Sequence, residues 1–107
     1  MIETFLVVYA KGESNFSGYA PDILGCVSVG DTLEEMRANM REALEGHLQW
    51  MAGDGDPMPT PATTQVDFAP DDFADGVLYY VVERMALEMP ASMPRAESAS
   101  SGERISA

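Results

Sequence analysis

Few side chains in this 107-residue chain have a type and spacing that could do chemistry. His47 is the sole histidine and Cys26 the sole cysteine, so neither has a Cys or His partner for a nucleophile–base pair or a metal site. His47 falls on the apolar stripe of a helix near its C-terminal end, where boundary packing and the helix dipole account for it. Cys26 stands beside Val27 in a short strand and reads as a buried, structural thiol. Carboxylates are plentiful, and a metal-dependent nuclease would need several converging at the centre of a sheet. Leu6-Val7-Val8, the centre of the first strand, offers none. Asp22 and Asp31 sit in turns, where local capping is their ordinary role. The run Asp67, Asp71, Asp72, Asp75 lacks the alternating spacing and terminal Glu of a calcium loop. Gly18, Gly25 and Gly30 do not follow a phosphate-binding spacing. The expectation is a protein that binds rather than reacts: no enzyme, no cofactor, no metal.

Charge narrows the kind of partner. With 18 acidic residues against 6 basic ones the net charge is -12. Such a surface repels a phosphate backbone, which needs Lys and Arg to displace its counterions, and favours a basic protein. One cysteine allows no intramolecular disulfide, which fits a reducing cytoplasm. The apolar run Phe5 to Ala10 falls far short of the roughly 20 residues that a membrane span requires. No positively charged segment precedes it, so neither a signal peptide nor a membrane association is expected.

The elements that must position any binding surface are legible from pattern. Ile2 to Ala10 is rich in β-branched and aromatic residues and reads as a strand ending at Lys11-Gly12. Residues 13–17 read as a polar connection, followed by a short second strand around Tyr19 and Ala20 and a third over 25–29. Pro21-Asp22 marks the turn between them. Connections this short predict an antiparallel meander. Thr32 and Glu35 match a capping box, opening a helix to about Ala52. Leu33, Met36, Met40, Ala43, Leu44, His47, Leu48 and Met51 make its apolar face. Gly53, Gly55, Pro57, Pro59 and Pro61 end it, and an acidic loop follows to about Gly76. Val77 to Leu87 favours a strand, which after a helical crossover is expected parallel to the first with a right-handed connection. The fold class is therefore α+β, β-β-β-α-β with strand order 3-2-1-4, a mixed sheet with one covering helix. Residues 1–89 form the domain, and 90–107, poor in apolar mass, form a flexible tail.

One helix covers one face, yet strands one and four are apolar on both. The second face is thus an expected contact surface, for a second copy of the chain or for another protein. The alternative is that the long loop or the tail folds over it. Met36, Met40 and Met51 read as core filling, whereas Met85 and Met89, with Met93, could contribute to an adaptable binding surface.

The segment Gly18-Tyr19, Pro21-Asp22-Ile23-Leu24-Gly25-Cys26, Ser28, Gly30-Asp31-Thr32, Glu34-Glu35 resembles the HicB-like antitoxin domain. Asn39, Glu42-Ala43-Leu44 and Gly55-Asp56-Pro57-Met58-Pro59 continue the likeness, which covers roughly residues 2–88. Pro21, Asp22, Gly25, Cys26, Gly30, Thr32 and Glu35 carry the structural motif. A proline usual in the family after the leucine-type position is absent, since Leu24 runs directly into Gly25, and Met36 stands where a small residue is common. The resemblance implies a degraded ribonuclease-H-like fold without nuclease activity. It also implies a type II toxin–antitoxin role: the domain would bind and cover a small, basic, HicA-like toxin that cleaves messenger RNA. The chain's own pattern places that contact on the exposed sheet face and the strand-four edge, by strand addition, with Tyr79, Tyr80, Glu83 and Met85 as candidate partner-binding residues. A homo-oligomer, dimer or tetramer, is also expected. The C-terminal DNA-binding module of many such antitoxins has no counterpart in the few polar residues after Met89, so no direct DNA binding is expected. The other reading is a solitary HicB-like domain without a toxin, serving as a structural oligomer or a small-ligand module.

Overall fold

Residues 1–73 and 76–90 are described by the structure, a computed structural model; the expected tail from residue 91 lies outside the described residues. Three strands open the chain: β1 (Ile2–Lys11), β2 (Phe16–Ala20) and β3 (Ile23–Gly30). They form the expected meander. Val8 faces Tyr19 and Lys11 faces Phe16 between β1 and β2, and Tyr19 faces Val27 between β2 and β3. Phe16, Gly18 and Ala20 alternate buried with exposed Ser17 and Tyr19. The polar Ser17 and side-chain-less Gly18 hide that alternation, which is why the pattern suggests a shorter strand. Pro21-Asp22 makes the tight turn, with Ala20 facing Ile23 across it.

The helix α1 (Leu33–Gly53) begins at the expected cap. Thr32 Oγ1 accepts the Glu35 N–H at 3.1 Å, and Glu35 Oε1 accepts the Asp31 N–H at 2.7 Å, one residue ahead of the cap. Gly30 lets α1 approach the end of β3: a Cβ there would stand 2.6 Å from the Met36 nitrogen, a backbone atom that cannot swing aside. The helix ends with Asp56 N–H on the Met51 carbonyl (2.9 Å) and Gly55 N–H on that of Ala52 (3.1 Å), Gly55 having φ +78°. This is the Schellman arrangement that satisfies otherwise orphaned carbonyls. Met36, Met40, Leu44 and Leu48 pack onto Phe5, Val7 and Tyr9 to form the core.

The last strand, β4 (Tyr79–Glu88), lies beside β1, so the order β3-β2-β1-β4 is as expected. Its direction is not. Ile2 faces Glu88 and Lys11 faces Tyr79, an antiparallel register, so the sheet is fully antiparallel rather than mixed. The parallel expectation treated α1 as the whole crossover. In fact α1 is followed by a connection long enough to travel back along the sheet, carrying a one-turn 3₁₀ helix (Pro70–Phe73). That connection delivers the chain to the far end of β1, where Leu78 N–H meets the Lys11 carbonyl at 2.7 Å. Arriving at the end of β1 rather than its start, the strand can only run the other way.

Candidate partner-binding surfaces

The two faces of the sheet divide by strand parity. On the helix side lie Phe5, Val7 and Tyr9 of β1 with Val81, Glu83 and Met85 of β4. On the other lie Leu6, Val8 and Ala10, faced by Arg84, Val82 and Tyr80. The helix α1 does not cover this second face, yet Val8 is fully buried and Leu6 nearly so. The connection between α1 and β4 returns across it. Asp22 holds that connection: its carboxylate accepts the Ala62 and Thr63 N–H groups at 2.8 and 2.7 Å and the Thr63 hydroxyl at 2.7 Å. These donors, chiefly the two backbone groups, hold the Asp22 carboxyl below the usual carboxylate range. Further along, the Phe68 ring stacks on Tyr80 at 4.0 Å and Phe73 meets it edge-on at 5.2 Å. The Tyr80 hydroxyl donates to the Asp72 carbonyl. The loop thus closes over the β1–β4 half of the face. The β2–β3 half stays open, with Leu24 83 %, Val27 74 % and Val29 56 % exposed beside Tyr19.

The outer edges form a second kind of surface. Met89 N–H bonds the Met1 carbonyl and those two residues continue the β1–β4 register, so odd positions of β4 bond β1 and even ones face outward. Helix side chains take the outward groups at one end: Arg41 donates to the Ala86 carbonyl, and Glu45 accepts the Glu88 N–H at 2.7 Å. The outward groups of Val82 and Arg84 have no partner among the described residues. At the opposite edge, Asn39 donates to the Val29 carbonyl at 2.9 Å. Between α1 and β4 runs a groove of about 370 Å³ lined by Arg37, Arg41 and Arg84, among others. Half of the chain's six basic residues are therefore gathered beside one strand of an acidic protein.

The sequence-predicted contact residues divide among these settings. Tyr79 is half exposed on the helix side of β4, edge-on to Phe16 at 6.3 Å. Tyr80 belongs to the loop's aromatic cluster. Glu83 is paired with Arg37, whose Nε and Nη2 each donate to a carboxylate oxygen at 2.9 Å. That guanidinium holds the Glu83 carboxyl below its usual range despite partial burial. Met85 is buried in the core, as is Met89, so neither side chain lies on a surface; Met93 lies outside the described residues. Cys26 is buried, which raises its thiol pKa, and His47 stacks on the exposed Trp50 at 5.9 Å. Among the motif residues, Pro21 and Gly25 shape the turn, and Gly30, Thr32 and Glu35 seat the helix. Asp22 does more than turn the chain, since it tethers residues some forty positions away. The sequence carries no local signal for that tether. Beside Glu83, the buried Tyr9 hydroxyl meets no acceptor in hydrogen-bond geometry; burial first, and Glu83 second, push its pKa well up.

Among the described residues no group of three or more His, Cys, Asp or Glu could hold a metal ion. No helix there is long and apolar enough to cross a membrane. The described residues thus present an antiparallel sheet with an open apolar half-face and a strand edge bare at Val82 and Arg84. The model of the HicB_like antitoxin of bacterial toxin-antitoxin systems matches residues 5–95, and the chain belongs to that family. In structure it is similar to a chain of a HicA3 and HicB3 toxin-antitoxin complex, with TM-score 0.56 and 25% identity over 84% of this chain and 99% of that one. In sequence it is similar to a UPF0150 protein of Thermotoga maritima, 40% identical over 53 residues, or 50% of this chain and 69% of that protein. It is also 44% identical over 39 residues to an uncharacterised 14.9 kDa protein of the rep-hol intergenic region of Haemophilus phage HP1. That match takes in 36% of this chain and only 29% of the phage protein.

Proposed function

We propose that this chain is a cytoplasmic antitoxin of a type II toxin–antitoxin system. It binds a small, basic, HicA-like toxin and neutralises it by covering the surface that cleaves messenger RNA. The observation that carries this reading is the likeness, over nearly all of the other chain, to a chain of a toxin–antitoxin complex. The net charge of -12 agrees with it, because opposite charges steer association with a basic partner. The contact is assigned to the open half of the second face, where Val27 and Val29 stand exposed beside Tyr19; Tyr80 borders it on the β4 side, whereas Tyr79 lies on the helix side. The chain acts by binding alone. It supplies no catalytic group and needs no cofactor, and its sheet is that of a degraded ribonuclease-H-like fold.

Co-expression with a HicA-like toxin in a toxin-sensitive bacterial host tests the proposal. Growth should be restored and the two proteins should co-purify. Val27→Asp with Val29→Asp should abolish both effects while the circular dichroism spectrum stays unchanged. Absence of rescue and of any complex across HicA-like toxins would overturn the reading in favour of a solitary domain.

A further inference from the structure

We infer that the β4 edge is a self-pairing surface: two copies join through antiparallel β4–β4 contact about a two-fold axis at Val82, giving one continuous eight-stranded sheet. The inference is independent of the toxin assignment. It begins with which backbone groups are left over. An exposed strand edge invites pairing, and most proteins blunt it. Here the blunting is selective. At the β3 edge Asn39 occupies the Val29 carbonyl, and Gly25, at φ +82°, interrupts the extended backbone. On β4 the Ala86 carbonyl and the Glu88 N–H are taken by Arg41 and Glu45. The stretch in which no outward N–H or C=O has a partner among the described residues is Tyr80–Val82–Arg84, centred on Val82.

That stretch is complementary to itself. In an antiparallel pair, outward-facing residues opposite one another exchange both hydrogen bonds. With the axis at Val82, Val82 meets its own copy, and Tyr80 meets Arg84 of the second copy, and the reverse. Every free outward N–H and C=O of the three residues then gains a partner, and the Arg41 and Glu45 contacts stop the pairing at Ala86. A shift of register in either direction strands outward groups or collides with those contacts.

The side chains fit the same register. Opposite residues stand about 5 Å apart on one face. The half-exposed Val82 would pack on its copy. Arg84, which has no partner among the described residues, would lie over the Phe68–Phe73–Tyr80 cluster of the other copy, close to the acidic turn with Asp71 and Asp72. A guanidinium on an aromatic face beside carboxylates is a favourable setting. Arg37 being paired with Glu83, Arg41 and Arg84 bring positive charge to this seam and offset part of the repulsion between two chains of net charge -12.

Sedimentation equilibrium of the full chain gives the test. A dimer is expected at micromolar concentration. Val82→Pro removes an outward N–H that bonds nothing among the described residues, a position where edge strands tolerate proline, and should weaken the dimer at least about tenfold. Arg84→Glu sets a carboxylate against Asp71 and Asp72 of the other copy and should weaken it comparably without breaking a hydrogen bond or ion pair among the described residues, which covers the case of Val82→Pro failing to fold. A chain that remains monomeric at hundreds of micromolar, or a dimer unmoved by Arg84→Glu, overturns the inference. So does a purified complex with a HicA-like toxin in which the toxin itself occupies the β4 edge.

Discussion

The two faces of the sheet are covered by two different means. On one side a single helix supplies Met36, Met40, Leu44 and Leu48 from one stripe, and the side chains beneath are fully buried. On the other, a connection with little regular structure is held by one carboxylate and one aromatic cluster, and it closes only half of the face. The helix side is a cooperative core, in which each residue is supported by many neighbours. The loop side rests on a few separable contacts and can open locally without unfolding the rest. A binding domain has use for that difference: the firm face sets the shape, and the half-covered face offers surface.

Substitutions can break this contrast, and the largest effect is expected on the helix side. Leu44→Ala should lower global stability by about 2–5 kcal/mol, read as a fall in the denaturant midpoint with an unchanged slope. On the loop side, Asp22→Ala should leave most of the global transition in place and release the connection at a cost of about 1–2 kcal/mol. Faster hydrogen exchange at the Ala62 and Thr63 amides would report it. That tether depends on pH in a definite sense. The folded Asp22 carboxyl is more acidic than its ordinary value of 3.8. Its contribution is therefore complete above that value and is lost as pH falls through the lower folded one. Wild-type Ala62 and Thr63 should lose protection on acidification below about pH 4, and the Asp22→Ala protein should show no such step.

Phe68→Ala should expose Tyr80 and speed proteolysis between α1 and β4, with a change in melting stability of about 1 kcal/mol. If it unfolds the protein as Leu44→Ala does, the two faces are not separable. Smallest is Tyr9→Phe. The hydroxyl it removes is buried with no acceptor in hydrogen-bond geometry, so stability should stay within about 1 kcal/mol of wild type or rise. A larger loss would mean that the hydroxyl is held by Glu83 after all.

How much of this was legible depends on the range over which each feature is encoded. Strand β1, the Pro21-Asp22 turn, the Thr32–Glu35 cap and the α1 stripe were all readable, because each is written within a few residues and repeats at a fixed period. Strand β2 was only half readable, since Ser17 and Gly18 mask its alternation. Of the contact residues, Tyr79 is exposed on β4 and Tyr80 lies under the loop's aromatic cluster, whereas Met85 looked adaptable in sequence and fills the core. Parity decides that, and parity follows from the β1–β4 register, which no local pattern states.

By itself the sequence determined the acidic surface, the meander, the capped helix and the family motif, since composition, propensity and period are local properties. Only the tertiary structure decided the direction of β4, the Asp22–Thr63 tether and the aromatic cluster on Tyr80. It alone decided, too, which outward groups of β4 are left bare. Each of these joins residues far apart in the chain, where nothing but the closed geometry of the sheet brings one to the other.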